Sequence, residues 1–485
     1  MILSINEKYQ RKLMKNILLI MPPFSMKERY GRGIEKIGSS LPPLGLLYLG
    51  AELERNGYRA KILDTQLDNL SLGATIERCL DSGPDVVGIY CNTSNYRHTV
   101  ELAGEIKKRI DVPVIFGGPH VTIRPEEVLN NDCVDYIVIG EGELTLIELM
   151  DVLNNKYPDS DLNGVKGIGF KENGKSIINP RRELIQNLDS ISFPARHLVP
   201  LLKYRPSPNQ YKRLPLATMM VSRGCPFNCS FCNTEAIWTR RYRIRSVENV
   251  INEIEHLIGK YRIKEVNFWD DAWGLNKEWI KDFCDTIIKR KIDLTWSCEC
   301  RVNTISRDLL EKMKKAGCRC IFFGIESLDQ EILQAINKRI TLEQITSALK
   351  WTKEVGIESR ANFILGLPEE TPKKVKKMLK TLCKLNPDYV KFNILTPYPE
   401  TALYKQIKEG KWGKMIDESY DKLTGYFATF LPFGYKNMDE LQKIKRYAYR
   451  KYHFRLSYIL PKLLSIRSLE DLKRYVRGAL AIISI

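Results

Sequence analysis

Short apolar runs alternate with helical stretches over the first 150 residues of the chain. Asn16–Met21 (NILLIM) is the first run, and Gly45–Arg55 then has the apolar spacing of a helix that stops at Gly57. Four further runs each precede a turn and a helical stretch: Ala60–Asp64, Val86–Tyr90, Val114–Phe116 and Tyr136–Ile139. Buried strands that alternate with helices predict a parallel sheet covered on both faces.

The same alternation returns in the second half of the chain. Six β-type runs with helical stretches between them are expected as strands: Ala217–Ser222, Glu265–Trp269, Thr295–Cys300, Arg319–Gly324, Glu358–Ile364 and Tyr389–Asn393. Six βα units in series predict a partial (β/α)6 barrel whose site lies at the carboxyl ends of its strands.

The segments outside these two regions have a different character. Gly164–Asn179 is typical of a small hairpin with Glu172-Asn173-Gly174 at its tip, and several prolines follow it. After Pro397 the pattern favours helices and loops. We therefore predict four segments: residues 10–150 (Rossmann-like, flavodoxin-type), 151–215 (connector), 216–400 (partial barrel) and 401–485 (helical C-terminal region).

Charge adds one open question about the C-terminus. The net charge is +18, spread over helices that are expected to be solvated. From Lys443 to Arg477, however, eleven Lys and Arg residues face only two acidic ones, and aromatic residues are interleaved, among them Tyr447, Tyr449, Tyr452, Phe454 and Tyr458. This stretch would suit an anionic membrane surface or nucleic acid, or it forms a helical cap whose aromatic side chains pack on the main body. We favour the cap.

Compartment follows from hydropathy and cysteine content. No stretch is long and apolar enough to span a bilayer, and the basic N-terminus lacks the apolar region of a secretory signal. Twelve cysteines are then expected to remain free or to bind metal in a reducing, cytoplasmic environment.

The most specific chemistry lies in SRGCPFNCSFCNTE, which contains Cys225, Cys229 and Cys232. Full thiolate ligation of a cubane iron–sulfur cluster takes four cysteines, so a compact loop with three suggests one iron with an open position. Zinc is the alternative, but zinc motifs normally come as two paired half-sites, and no second half-site follows in the sequence.

With Arg223-Gly224 before it and Phe231 beside its last cysteine, this loop resembles the signature of the radical S-adenosylmethionine (SAM) enzymes. The resemblance implies a [4Fe-4S] cluster on the three cysteines, with SAM on the fourth iron. It also implies a one-electron reductant, ferredoxin- or flavodoxin-like, that drives cleavage of SAM to a 5′-deoxyadenosyl radical. Such a cluster is oxygen-sensitive, which suggests anaerobic conditions.

The same resemblance assigns SAM contacts to residues at the ends of the predicted barrel strands. Many family members have G-G-E where this chain has Trp269-Asp270-Asp271, and an exposed acidic turn is the alternative there. FGIES and NFILGLPE resemble two further SAM-binding motifs, the second with Asn362 in place of Gly. The residues expected to bind SAM, besides Phe231, are Asp270, Asp271, Arg301, Glu326, Ser327, Gly366 and Pro368.

Four other cysteines raise the question of a second cluster. In strict strand alternation, Cys298 and Cys300 face the helices if Glu299 faces the lumen, while Cys318 and Cys320 share the side of Glu326. The four sulfur atoms are then not expected to converge, and we interpret them as small core residues.

The N-terminal region contains LLIMPPF, PPLGLLYLGAELERNGY, FGGPHVT and VIGEGELT in order, and it resembles the cobalamin-binding domain fused to one branch of radical SAM enzymes. Many cobalamin domains carry a D-x-H-x-x-G motif whose His binds cobalt, and this chain has none, so we expect the cofactor to bind without that His. Glycines at strand ends would let the backbone approach a bulky ligand. The expected cobalamin contacts are Thr93, Gly117, Gly118, Pro119, His120, Gly140, Glu141, Gly142 and Glu143. For His120, a loop histidine with ordinary partners is an equally good interpretation.

Together these resemblances imply a cobalamin-dependent radical SAM enzyme, most simply a methyltransferase acting on an unactivated carbon of a small molecule, lipid or peptide. A non-methylating cyclase or ring-rearranging enzyme would share the same motifs. A tRNA methylthiotransferase is less favoured, because its N-terminal domain supplies three cysteines to a second cluster and its C-terminus carries a small RNA-binding β-domain; we expect no nucleic-acid partner. A non-catalytic cobalamin sensor would leave three SAM motifs and a cluster loop unexplained.

Overall fold

A computed structural model describes residues 13–31, 38–157 and 161–484 of the chain. The described residues form two compact units. The first comprises residues 13–28, 40–157, 161–205 and 236–238, and the second comprises 29–31, 38–39, 206–235 and 239–484.

The strands of the described residues are, in chain order, β1 (Asn16–Met21), β2 (Arg59–Asp64), β3 (Val86–Tyr90), β4 (Val114–Gly117), β5 (Tyr136–Val138), β6 (Ile168–Glu172), β7 (Lys175–Ile178), β8 (Leu216–Met219), β9 (Ser222–Arg223), β10 (Arg243–Ile244), β11 (Glu265–Phe268), β12 (Thr295–Cys300), β13 (Cys318–Glu326), β14 (Glu358–Leu365), β15 (Tyr389–Ile394), β16 (Gly413–Met415) and β17 (Phe430–Pro432).

The helices are α1 (Met26–Tyr30), α2 (Leu44–Arg55), α3 (Leu72–Asp81), α4 (Tyr96–Lys107), α5 (Pro119–Ile123), α6 (Pro125–Leu129), α7 (Gly142–Leu153), α8 (Thr234–Trp238), α9 (Val247–Tyr261), α10 (Lys277–Lys289), α11 (Arg307–Lys315), α12 (Gln330–Ala335), α13 (Leu342–Glu354), α14 (Pro372–Leu385), α15 (Ala402–Lys408), α16 (Met438–His453), α17 (Leu456–Leu464) and α18 (Leu469–Ser484).

The sheet of the first unit confirms the Rossmann-like prediction. Its first five strands are parallel and lie in the order β2-β1-β3-β4-β5, the order of a flavodoxin-like sheet. Ile17 and Leu19 pack into one hydrophobic cluster while Leu18 and Ile20 pack into another, so both faces of β1 are covered. Helices on both faces explain why the strands are almost continuously apolar in the sequence.

The predicted hairpin is present, and it belongs to this sheet. β6 pairs antiparallel with β5, and β7 pairs antiparallel with β6, which extends the described sheet to seven strands. Asn173 and Gly174 at the tip have φ of 50° and 73°, the positive values that a tight two-residue hairpin turn requires.

The second unit contains the predicted partial barrel. Six parallel strands lie in the order β15-β14-β13-β12-β11-β8, and each corresponds to a predicted strand with ends displaced by at most two residues, apart from the first, which ends earlier. The break after Met219 separates β8 from β9, which pairs with β10 instead.

The C-terminal region is mostly helical, as predicted, with one addition. β16 and β17 form a small antiparallel pair that the sequence pattern did not indicate. Tyr449 and Tyr452 of α16 are buried, and the Tyr449 hydroxyl lies 3.1 Å from the amide nitrogen of Phe392 on β15. The cap interpretation therefore holds for α16. In the parts of the chain that the structure describes, no helix has the length and apolar character needed to cross a membrane.

Candidate active site

The cysteine loop lies directly after β9, beyond the carboxyl end of β8. Its backbone is held from several sides. The amide of Gly224 donates to Asp271 Oδ2 at 3.2 Å, the amide of Ser230 donates to the Ile336 carbonyl at 3.0 Å, and Asn337 Nδ2 donates to the Asn228 carbonyl at 3.0 Å. These bonds fix a loop that the sequence alone marks only as a turn.

The three thiols of this loop lie near one another. Burial raises the pKa of Cys225, and the nearby Cys232 and Cys229 add to the shift. Yet within the described residues no three His, Cys, Asp or Glu side chains come close enough to share a single metal ion. In a cubane cluster each thiolate binds a different iron atom, so the three thiols need not converge on one ion.

A cationic pair borders the cysteine loop. The Arg301 guanidinium stacks on the ring of Phe227 at 3.7 Å, and its Nη1 lies 3.5 Å from Cys229 Sγ. Arg301 also donates to the carbonyl of Lys338, and the Lys338 ammonium pairs with Glu326 Oε1 at 2.8 Å. Arg301 therefore places a positive charge beside the cysteine loop.

Lys338 was missed in the sequence. It lies 12 residues beyond Glu326, outside every motif, and only the fold brings the two side chains together.

The two adjacent aspartates have different surroundings. Asp270 is buried, and its Oδ1 accepts hydrogen bonds from the amide of Val221 at 2.9 Å and from the amide and hydroxyl of Ser222. Burial raises the pKa of Asp270 to about 7. Asp271 is exposed and bonds the cysteine loop through Gly224. Asp270 therefore holds the β8–β9 turn, and Asp271 is the carboxylate accessible beside the loop.

The predicted residues at the ends of β13 and β14 also lie in this unit. A bulge between Gly324 and Glu326 shifts the pairing of β13 with β14, and Glu326 has a φ of 67°. Ser327 is buried, and its hydroxyl accepts from the amide of Asp329 at 3.2 Å. This bulge re-aims the Glu326 side chain, which is a common role of bulges beside active sites.

Gly366 and Pro368 follow β14 in a buried turn. Gly366 has a φ of 84°, and a side chain there would approach Leu441 to 3.2 Å. Its amide donates to Glu370 Oε1 at 2.6 Å, so Glu370 is the carboxylate turned inward, while Glu369 is exposed. In the segment NFILGLPE, the glutamate that matches the SAM-binding motif is Glu369.

The expectation for the four barrel cysteines is partly wrong. The Sγ atoms of Cys298 and Cys300 are 3.7 Å apart, and Cys318 contacts Cys298. The pairing of β12 with β13 shifts between Trp296 and Ser297, which pair with Cys318 and Cys320, so the extra residue on β13 places those two cysteines on opposite faces. Three sulfur atoms converge, and all remain buried core residues.

The candidate cobalamin residues lie after three neighbouring strands of the first unit. Thr93 follows β3, the segment Gly117–His120 follows β4, and Gly140–Glu143 follows β5. Parallel strands end at the same edge of a sheet, so these loops are brought together there.

Gly118 and Gly140 both lie at this edge, but they differ in what an added side chain would meet. Gly118 has a φ of 116°, and an added Cβ would lie 2.7 Å from the Cys91 carbonyl oxygen, so internal packing alone requires glycine. Gly140 has a φ of 81°, and an added Cβ would meet nothing within 4 Å. Open space at Gly140 is the observation that fits a ligand approaching the backbone.

The polar residues of the edge are largely engaged within the protein. His120 is fully buried, with Nδ1 3.3 Å from Thr93 Oγ1 and its ring against Tyr96, and burial lowers its pKa to about 4. Glu141 accepts a hydrogen bond from the amide of Ile185 at 2.7 Å, and Glu143 is buried in the first turn of α7. His120 therefore lies in α5 as a neutral side chain, and its buried Nε2 does not project into open space.

In comparisons with known proteins, two family models match separate parts of the chain. The B12 binding domain family matches residues 33–150, and the Radical SAM superfamily matches residues 219–382. The radical S-adenosylmethionine methyltransferase TsrM from Kitasatospora setae, solved with cobalamin and a [4Fe-4S] cluster bound, has a TM-score of 0.71 at 17% identity, over 97% of this chain and 99% of that chain. At that identity the likeness shows the fold.

Two curated relatives extend over most of the chain. An uncharacterized methyltransferase of Pyrococcus horikoshii is 36% identical over 97% of this chain and 99% of its own length. The anaerobic magnesium-protoporphyrin IX monomethyl ester cyclase of Rubrivivax gelatinosus is 31% identical over 78% of this chain and 68% of its own length. The chain therefore belongs to the radical SAM superfamily, among the members that carry a B12-binding domain.

Proposed function

We propose that this chain is a cobalamin-dependent radical SAM methyltransferase that methylates an unactivated carbon. The observation that carries the proposal is the pairing of a three-cysteine loop at the strand ends of a partial barrel with a B12-binding unit in one chain. The full-length relative described as a methyltransferase favours methyl transfer.

Cys225, Cys229 and Cys232 would hold the [4Fe-4S] cluster. When bound, the cluster supplies the electron that cleaves SAM to a 5′-deoxyadenosyl radical, and cobalamin carries the methyl group to the substrate carbon. A ferredoxin- or flavodoxin-like protein is the proposed electron donor.

The side chains around the loop have the chemistry to bind and orient SAM. Asp271 offers an accessible carboxylate for the SAM ammonium, and the Glu326–Lys338 pair offers a second polar contact. Arg301 keeps positive charge beside Cys229 and, with Phe227, covers the loop against water. We assign Phe231, Asp270, Ser327, Gly366 and Pro368 supporting positions around these groups.

For cobalamin, the open approach to Gly140 supports a ligand at the strand ends of the first unit. Thr93, Gly117–His120 and Glu141–Glu143 would line it. The buried, neutral His120 favours binding without a histidine on cobalt.

The test is an assay of SAM products. Protein reconstituted with iron, sulfide and cobalamin receives SAM and a chemical reductant under anaerobic conditions. We expect both S-adenosylhomocysteine and 5′-deoxyadenosine, because a methyltransferase uses SAM twice. Cys229→Ala should abolish 5′-deoxyadenosine, because the cluster loses one of its three thiolate ligands.

One of the relatives supports a second candidate function. The cyclase relative covers 78% of this chain, so a cyclase or ring-rearranging activity is the alternative. Formation of 5′-deoxyadenosine without S-adenosylhomocysteine would select it and reject methyl transfer.

We also propose that α17 and α18 contact an anionic membrane surface. Leu456, Leu460, Leu463 and Leu464 are exposed along one side of α17, and α18 exposes a second stripe: Leu469, Leu472, Val476, Leu480 and Ile483. Exposures such as 74% for Leu464 and 77% for Leu469 are unusual for leucine, and the flanking excess of Lys and Arg complements anionic headgroups.

A further inference from the structure

Three charged side chains face the lumen of the barrel in neighbouring layers. Glu299 of β12 and Arg360 of β14 both lie level with Phe322 of β13, and Lys391 of β15 lies level with Asn362 of β14. Followed through the pairing of β8, β11 and β12, the two layers lie just beyond Met219, the last residue of β8, at the strand ends where the cysteine loop begins. Sequence analysis singled out only Glu299, as a residue that faces the lumen.

The two cations lack polar partners. Arg360 is 9% exposed, and its guanidinium meets the face of Phe322 at 5.0 Å but makes no hydrogen bond or ion pair with any described residue. Lys391 likewise has no ion pair or hydrogen bond within the described residues, and the ring of Tyr426 lies 5.4 Å from its ammonium. A buried charge without a partner is costly, so such groups normally have a counter-ion.

The surrounding groups do not supply enough negative charge. Glu299 faces both cations but forms no ion pair within 4 Å with either, among the residues described. Arg29 and Lys445 add further positive charge, and Lys445 Nζ donates to the Tyr426 carbonyl at 3.2 Å. Tyr398 and Tyr426 complete the wall with neutral phenols whose pKa values burial raises.

Several of the side chains that face the lumen also border an open space inside the barrel. Glu299, Asn362 and Lys391 retain part of their accessible surface, although burial raises the pKa of Glu299 and lowers that of Lys391 to about 7. Side chains that are enclosed and still accessible border an internal cavity. Its cationic wall predicts an anionic occupant.

We propose that Arg360 and Lys391 bind an oxyanion of the substrate, a carboxylate or a phosphate, inside the barrel. The assignment rests on the proposed function, because it takes the barrel lumen beside the cysteine loop as the substrate site. The proposal narrows the substrate to an anionic molecule.

Isothermal titration of the reconstituted full-length protein tests it, with inorganic phosphate in one arm and acetate in the other. We expect at least one anion to bind, and we expect Arg360→Met and Lys391→Met each to weaken that binding at least about tenfold, since each removes a charge-assisted contact. Lys380→Met, at an exposed position of α14, is the matched control and should leave binding unchanged. Tighter binding of phosphate would indicate a phosphate group on the substrate, and tighter binding of acetate would indicate a carboxylate.

Two further measurements, a melting temperature and a titration in the presence of SAM, can also overturn the proposal. Lys391→Met should raise the melting temperature of anion-free protein, because it removes an unpaired buried charge; a lower melting temperature would mark Lys391 as structural and overturn the proposal. Phosphate binding that disappears on addition of SAM would assign the site to the SAM carboxylate, and that also overturns it. So would wild-type protein that binds neither anion, or variants that bind as wild type does.

These titrations do not depend on turnover. If the protein forms no S-adenosylhomocysteine but still binds the anion, methyl transfer is rejected and the proposed anion site is retained.

Discussion

Glu370 is a buried carboxyl group whose charge changes near neutral pH. Burial raises its pKa from 4.5 to about 7, although hydrogen bonds from Tyr435 and the Gly366 amide oppose the shift. Because the folded pKa is the higher one, the stabilising contribution of the proton is complete below pH 4.5 and is lost as pH rises through 7.

Glu370→Gln should therefore flatten the pH dependence of stability. Glu370 should lower the free energy of unfolding of the wild type by on the order of a few kcal/mol between about pH 5 and about pH 8, and the variant should lose that part of the fall while keeping the part that Asp270 contributes. Urea unfolding at several pH values measures it. Glu369→Gln, one exposed position earlier, should behave as wild type. Equal slopes in all three proteins would contradict the assignment.

Individual residues differ in how far the sequence could predict them. Cys225, Cys229 and Cys232 are neighbours in the chain, so their spacing is visible without a fold. Lys338 lies in a loop and meets Glu326 only through the tertiary fold. Arg360 and Lys391 are brought together only by strand register, which no local pattern encodes. Glu370 was missed because the motif ends at Glu369, and only burial distinguishes the two carboxylates.

Among the elements, strands were predicted well and their irregularities were not. Buried parallel strands are continuous apolar runs, so their positions are visible in the sequence. A bulge has no comparable signal. The one beside Arg319 reverses the face of Cys318, and strict alternation therefore gave the wrong face.

The turn between β4 and α5 provides a stability prediction. Gly118→Ala should destabilise the protein by about 1–3 kcal/mol, since alanine is strained at positive φ and its Cβ would clash with the Cys91 carbonyl. Thermal or urea unfolding measures the loss. Gly104→Ala, in α4 with open space around it, should instead stabilise by about 0.4–1 kcal/mol. A neutral Gly118→Ala would show that the turn relaxes freely.

The exposed stripes of α17 and α18 provide a binding prediction. We expect the protein to sediment with vesicles containing anionic phospholipid and less with zwitterionic ones. Serine at Leu460, Leu464 and Leu480 together should reduce the vesicle-binding constant on the order of a thousandfold, because each buried leucine contributes ~1.5 kcal/mol or more. Leu202→Ser, at another exposed leucine, is the control. Vesicle binding that survives the triple change, or self-association that disappears with it, would reject the membrane as partner.

For the whole molecule, the sequence predicted two parallel α/β regions and a helical end, and the structure contains all three. What it did not predict is that part of the predicted connector adds β6 and β7 to the first sheet. An antiparallel edge pair is specified by hydrogen bonds to β5, a contact between segments that local composition does not reveal.

The central claim is that three cysteines hold a cluster whose fourth iron accepts SAM. The most direct measurement is the electron paramagnetic resonance spectrum of anaerobically reconstituted, reduced protein, recorded without and with SAM. We predict about four irons per chain and a reduced-cluster signal that changes on addition of SAM. Zinc in place of iron, or a cluster signal that SAM leaves unaltered, would contradict the account.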